Sequence, residues 1–309
     1  MVTMPHRMIL ISGWSVLLLG VLLQLGVKDH YHPLAILFYA LPKPCLIAWA
    51  LLLAICSRRH RRWRFAAVAV VVLLSCWWLG SSFSLGKPAR SEKVGDVAAE
   101  VTILYWNLCR PHGVDAHAVE LVRKLQPHVA AFVEPGKEAG LHLASYEAQL
   151  PGYKAAWMPR GILWLSRVPS RYRLRGKLDE IGAFARFDVD GRGPTFPVVV
   201  VDVHPNLLRS RQRQLQEALE HTRGSPDALL VGDFNTPLES IHFEPYRALF
   251  TNALDTAGDG FRETWPIGLP LLSLDQAWIG KDWDLLEARK LWHLRGSDHA
   301  AIWLRLKRH

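Results

Sequence analysis

Residues 8–27 run for 20 positions without a charged side chain. As a helix this stretch is about 30 Å long, the thickness of the hydrocarbon core of a bilayer. Residues 65–83 form a second uncharged stretch, with Trp77 and Trp78 placed to sit at a membrane interface. Between them, residues 34–56 are apolar apart from Lys43, which stands between Pro42 and Pro44. That lysine can snorkel from a span beginning near Leu41, or the segment can bend at the prolines. The pattern predicts an all-α transmembrane region of about three helices over residues 1–83. A cleaved signal peptide fits less well, because its apolar run is only ~7–15 residues and no Ala-x-Ala site follows here. Burial in a soluble core is opposed by the cluster Arg58-Arg59-His60-Arg61-Arg62 between two apolar runs.

The same cluster orients the chain. Short loops rich in Lys and Arg stay cytoplasmic. With residues 58–64 inside, the last span runs outward and everything after Phe83 lies outside the cytoplasm, in the periplasm if the cell has an outer membrane. The net charge of +9 is concentrated at the same end: residues 1–64 hold eight Lys or Arg against one acid, and residues 101–309 balance to +2. A strongly basic nucleic-acid-binding domain is therefore not indicated. Arg171, Arg173, Arg175 and Lys177 alternate along one extended segment, which reads first as a solvated strand face. Cys45, Cys56 and Cys76 fall in membrane segments and Cys109 stands alone, so no internal disulfide is expected. Cys109 reads as a small packed residue rather than a nucleophile.

Residues 84–100, with Gly86, Pro88, Gly95 and mixed charges, read as a linker. From Val101 to the C-terminus, strand-like runs alternate with helical patterns, which argues for a layered α/β domain over 101–309. Asp115 can cap a helix through Gln126 with Ala118, Leu121, Val122 and Leu125 on one face. Residues 207–222 read as a second, polar helix with Leu208, Leu215 and Leu219 as its apolar stripe. Residues 196–203 are apolar and β-branched enough for a central strand.

Four apolar runs each carry at one end a group suited to a metal ion or a phosphate. Asn107 closes residues 101–106, and Glu134 closes 129–133. Gly232-Asp233-Phe234-Asn235 follows Leu229-Leu230-Val231, and Ser297-Asp298-His299 precedes Ala300-Ala301-Ile302. Asp233 and Asn235, at i and i+2 on a strand end, point the same way.

In this order, with Val203-His204, residues 161–167 as a middle strand and Asp275 in Leu274-Asp275-Gln276, the sequence from Val101 onward resembles the endonuclease/exonuclease/phosphatase superfamily. It is similar to a membrane-anchored bacterial subgroup in its N-terminal spans and its Thr264-Trp265-Pro266 turn. The resemblance implies two mixed sheets packed face to face with helices outside, and a divalent-metal-dependent hydrolase of phosphate esters. A hard cation, Mg²⁺ or Mn²⁺, takes oxygen ligands, which points to Glu134 as principal ligand with Asp298 and Asn107. By the same resemblance Asp233 orients or deprotonates water, and Asn235 holds that water or a phosphate oxygen. His299 serves the phosphate or acts as acid or base, with its tautomer fixed by Asp275, and His204 adds a second imidazole.

The sequence departs from the family at Cys109, where an acid is common, at Val133, where Gln is common, and at Gln276, where His is common. Nucleic acid and phospholipid head groups both remain open as substrate. The reading of another class is a non-catalytic membrane receptor or scaffold that keeps the fold, for which decay at Asp233, Asp298 or His299 would be expected.

Overall fold

The computed structural model describes residues 4–86, 100–191, 193–269, 271–293 and 295–309. Most of the linker expected at 84–100 lies outside the described residues. The described chain forms two compact units. One is helical and built on the residues up to Phe83; the other is α/β and built from Ser84 onward, apart from Asn206–Arg209 and Glu239–Ile241, which group with the first.

In the helical unit, α1 (Met4–Leu22) continues through a π-helical turn, Leu23–Val27. Then come α2 (His32–Ala40), α3 (Lys43–Cys56) and α4 (Arg61–Ser82). Arg7–Val27 and Arg61–Ser82 are long and apolar enough to cross a membrane. The middle segment reaches that length only when α2 and α3 are counted together, and they are bent by 65°. Pro42 at the α3 N-cap and Pro44 in its first turn explain the break, since proline restricts the residue before it and supplies no N–H. Small residues let the helices approach. A Cβ on Gly13 or Gly20 of α1 would stand 2.6 Å from Leu53 Cδ2 or 2.5 Å from Leu46 Cδ2 of α3. Gln24 donates to the carbonyls of Phe38 (2.8 Å) and Leu41 (2.9 Å), so its amide is satisfied between the helices. Ile11 and Leu18 of α1, and Val72 and Leu73 of α4, are exposed apolar side chains.

The α/β unit holds two six-stranded mixed sheets. The first includes β1 (Glu100–Asn107), β2 (Val129–Val133), β3 (Lys154–Met158) and β4 (Ile162–Ser166). The second includes β5 (Ser170–Leu178), β6 (Gly182–Val189), β7 (Phe196–Asp202) and β8 (Leu229–Asp233). The remainder are β9 (Phe250–Asn252), β10 (Asp275–Gly280), β11 (Trp283–Leu291) and β12 (Ala301–Arg308). The spatial orders are β11-β12-β1-β2-β4-β3 and β9-β10-β8-β7-β6-β5. Each sheet has one parallel pair at its centre, β1 with β2 and β7 with β8. A parallel pair needs a crossover, and α5 (Ala116–Leu125) and α7 (Gln212–Glu220) lie in those connections. Shorter helices α6 (Leu143–Gln149), α8 (Glu244–Leu249) and α9 (Ala253–Ala257) complete the unit.

Strand alternation divides the side chains into layers. Ile103, Tyr105, Ala131 and Trp164 of the first sheet meet Phe187, Val200, Val231 and Ala277 of the second in one buried core, where Trp164 stacks on Phe187 at 4.0 Å. The opposite face of the first sheet packs Leu104, Trp106 and Phe132 against Ala118, Val119 and Val122 of α5. Val199, Val201 and Leu230 do the same against Leu215 and Ala218 of α7. The architecture is therefore the expected two-sheet α/β sandwich.

Local expectations were met unevenly. Asp115 caps α5 by accepting from Ala118 N at 2.6 Å, and Gln126 ends it in the left-handed region. The helix expected from residue 207 begins only at Gln212. Asn206 Oδ1 takes Leu208 N (2.9 Å) and Ser210 Oγ takes Gln212 N (3.2 Å), so side chains compete for the donors a helix would use. Leu208 is exposed rather than part of a stripe. The alternating bases lie on β5, an edge strand, where Arg173 pairs with Asp188 (2.5 Å) and Lys177 with Glu180 (2.7 Å). That is a solvated face which also protects a sheet edge.

Candidate active site

The rim where β1, β2, β7 and β8 end is also where β10 begins. Tyr105 and Asn107 of β1 lie at i and i+2 and face the second sheet. Across it, Asp202, Asp233 and Asp275 stand in register on neighbouring strands β7, β8 and β10. Registered residues share a face, so three carboxylates crown the core between the sheets.

Asp233 is held from both sides. Its Oδ2 accepts from Asn107 Nδ2 at 3.0 Å across the sheets, and its Oδ1 accepts from the backbone N of Asn235 at 2.8 Å. Asn235 occupies φ +45, a conformation asparagine tolerates, and its amide reaches Val203 O at 2.7 Å. Burial and the Asp275 carboxylate push Asp233 up to about 7, against the pull of His299 and these hydrogen bonds. A carboxylate poised near neutrality is suited to exchanging a proton.

Asp275 lies fully buried, and its Oδ2 meets His299 Nδ1 at 2.7 Å. Its Oδ1 accepts from Tyr105 OH (3.2 Å), and its backbone N donates to Thr264 Oγ1 (3.0 Å). With Nδ1–H directed at Asp275, Nε2 of His299 is left for chemistry. Burial opposes a charged ring here, but the carboxylates of Asp275, Asp233 and Asp298 override it and raise His299 to about 10. Donor atoms of Asp233, Asp275 and His299 lie within 4.8 Å of one another.

Asn107 ends β1, Glu134 follows β2, and Asp298 precedes β12. Glu134 sits at φ +51, a region costing about 1–2 kcal/mol for a residue with a Cβ. Its backbone is tied to Gly161 O (3.0 Å) and Arg110 N (2.8 Å), and its carboxylate is ion-paired with the exposed Arg110. Asp298 Oδ2 accepts from Trp265 Nε1 at 2.8 Å. Its Oδ1 is buried with no hydrogen-bond partner among the described residues, and His299 Nε2 is 4.0 Å away. An orphaned carboxylate oxygen, a second carboxylate and the Asn107 oxygen are the donors a hard cation takes, so these residues fit one.

Cys109 corrects one expectation: it is exposed, not packed. Asn107 Oδ1 takes its backbone N at 2.9 Å and turns the chain outward, with Cys109 at φ +53 and Arg110 at φ +58. Partial burial and the neighbouring Asp298 carboxylate raise its thiol, which keeps it protonated and a poor nucleophile.

His204 is not part of the tight group. It is half-buried at the end of β7, its backbone N donating to Gln214 Oε1 (3.0 Å) and its carbonyl accepting from Arg211. Arg211, buried, also reaches Asn235 O at 3.3 Å, joining the two loops behind the rim. Gln276 points to the outer face, where its amide holds Thr236 O (2.9 Å) and Ser273 O (3.1 Å). At that position the side chain is structural.

Tyr105, Asp202 and Arg211 belong to the site region without having been singled out from sequence, and Trp265, named there only in its turn, joins it through Asp298. Alternation relative to Asn107 and His204 could have flagged Tyr105 and Asp202. Burial, then the carboxylates of Asp233 and Glu134, push Asp202 well above the usual carboxylate range.

The glycine before Asp233 has a steric cause. A Cβ on Gly232 would lie 2.2 Å from the backbone oxygen of Val201 on β7. Gly232→Ala is expected to cost about 1–3 kcal/mol, as overpacking of a well-filled core does, and to displace Asp233. Urea unfolding checks the first effect; an unchanged midpoint would contradict the clash.

Two mixed sheets stacked under flanking helices make an α/β sandwich, with acids, amides and an imidazole along one rim. The chain belongs to the Endonuclease/Exonuclease/phosphatase family, whose model matches residues 104–299. Among solved structures it is similar to a functionally unknown conserved protein from Enterococcus faecalis V583, at TM-score 0.54 and 16% identity over 67% of this chain and 100% of that one. It is similar also to an endonuclease/exonuclease/phosphatase family protein from Bacteroides thetaiotaomicron (TM-score 0.51, 14% identity, 68% and 98% covered). A third is D. rerio TDP2 complexed with single strand DNA product (TM-score 0.51, 14% identity, 68% and 99% covered). At these identities the likeness is one of fold. No curated protein matches the sequence.

Proposed function

We propose that this protein is a membrane-anchored, divalent-metal-dependent phosphoesterase, hydrolysing phosphodiester or phosphomonoester bonds on the extracytoplasmic side of a bacterial inner or plasma membrane. The observation that carries the reading is the convergence of Asp233, Asp275 and His299 beneath Asn107 at one rim of the paired sheets. Asp233 takes the proton from an attacking water, while Asn107 and Asn235 N fix the direction of its lone pairs. His299, held as the imidazolium by Asp275, presents Nε2 to a phosphate oxygen and stabilises the charge that develops there. Glu134, Asp298 and Asn107 would hold Mg²⁺ or Mn²⁺, which when bound would neutralise phosphate charge as a Lewis acid. His204 and Asn235 line the approach to the phosphate.

Anchoring favours a substrate at the bilayer, a phospholipid head group, over free nucleic acid. The full chain in detergent, assayed on a generic phosphodiester, a phosphomonoester, phospholipid and nucleic acid, is expected to hydrolyse at least one class. Activity should vanish with chelator and return with Mg²⁺ or Mn²⁺. A folded, metal-replete protein inert on every class would leave the scaffold reading instead.

The basic segment Arg58–Arg64, at the turn from α3 into α4, implies that a reporter fused after residue 90 reads as extracytoplasmic. A cytoplasmic signal would mean that the bent segment of α2 and α3 does not cross.

A further inference from the structure

A second cluster of ligating side chains lies on the helix side of the first sheet, away from the face that carries Asn107. His117 and Glu120, at i and i+3 on α5, share one helical face. His293 follows β11 by two residues. One donor atom from each of the three lies within 4.8 Å of the others. The two imidazoles pack at 4.5 Å between ring centroids, and His293 lies 5.9 Å from the Trp106 ring. Nδ1 of His293 is buried and has no hydrogen-bond partner among the described residues. A buried ring nitrogen without a partner costs free energy that a bound cation would recover.

The ligand chemistry is selective. Two imidazoles and one carboxylate suit Zn²⁺, Co²⁺ or Ni²⁺, whereas Mg²⁺ and Ca²⁺ take oxygen shells. Glu120 is exposed, which gives the ion an entry path, and leaves room for a water as fourth ligand.

The surroundings say what such an ion would do. A Cβ on Gly296 would meet the Trp106 ring at 2.4 Å and His117 Cβ at 3.2 Å, so the chain three residues past His293 is pressed against both. Trp106 Nε1 in turn donates to the carbonyl of His299 at 2.9 Å. An ion joining α5 to His293 would therefore brace the segment that delivers Asp298 and His299.

We propose that His117, Glu120 and His293 form a structural site for a transition-metal cation of the Zn²⁺ class, separate from the hard-cation donors Asn107, Glu134 and Asp298. The test uses the full chain in detergent, stripped with chelator and then given Zn²⁺ or Co²⁺ in excess Mg²⁺. Wild type is expected to retain about one Zn²⁺ per chain through desalting, and to give the visible absorption of tetrahedral Co²⁺. Glu120→Gln, an exposed change that spares the fold, should weaken Zn²⁺ by at least ~10–100-fold, the loss typical even of outer-shell partners. His117→Gln/His293→Gln should abolish retention and the rise in Tm that Zn²⁺ gives wild type. Asp233→Asn should leave the retained Zn²⁺ in place. The site is overturned if wild type retains no Zn²⁺, if retention is unchanged in the Glu120 and His117/His293 variants, or if it disappears in Asp233→Asn.

Discussion

Asp233→Asn is expected to lower kcat by about two to four orders of magnitude, the range for losing a general acid or base, with little change in KM. The exchange is nearly isosteric, but it alters two hydrogen bonds. Asp233 accepts at both oxygens, from Asn107 Nδ2 and from Asn235 N. An amide at 233 must point its NH₂ at one of these donors, so some stability is lost as well. The swap Asn107→Asp/Asp233→Asn separates the two effects. Residue 107 then accepts from residue 233, still accepts from Cys109 N, and leaves Asn235 N its oxygen. Tm should recover in the swap while kcat does not. With Asp233 raised to about 7, the wild-type rate should climb as pH passes through that value, and this limb should be missing from Asp233→Asn. Recovery of kcat together with Tm would reduce Asp233 to a structural role.

Much of the sandwich was legible because its strands announce themselves locally. Apolar runs such as Leu229-Leu230-Val231 end at an Asx residue, and alternation then says which neighbours share its face. The same local logic placed α5 from the Asp115 cap to Gln126. It failed where a side chain redirects the backbone: Asn206 delays α7, and Asn107 turns Cys109 into solvent. It was silent where pairing is non-local. Nothing within a few residues of Asp202 announces that it stands beside Asp233, because the register of β7, β8 and β10 is set by distant segments. Trp265 reaches Asp298 across 33 residues, and Tyr105 reaches Asp275 across 170. Residue types at strand ends could thus be proposed from sequence, whereas which of them touch could not. Glu134 illustrates the gap: its place after β2 was readable, but its ion pair with Arg110 and its positive φ were not.

The Asp275–His299 pair carries the other large expected effect. His299→Ala should reduce kcat by about two to four orders of magnitude, since the imidazolium acts on charge present mainly in the transition state. Asp275→Asn should act more mildly on kcat, because residue 275 works only through the ring and its amide oxygen can still accept from Tyr105 OH. The double variant should be no slower than His299→Ala alone, as expected when two residues function as one unit. Fully additive losses would separate them. Stability offers a readout independent of turnover. Folding lifts His299 from 6.5 to about 10, so the folded state holds this proton more tightly than the unfolded chain. The resulting stabilisation is complete below pH 6.5 and is lost as pH rises through 10. In chelator, the gap in Tm between wild type and His299→Gln should therefore be widest in mild acid and close toward pH 10. The same gap should be small at every pH on an Asp275→Asn background, where the carboxylate that holds the proton is gone. A gap that persists there, or that widens with pH, would mean the imidazole is retained for packing rather than for its charge.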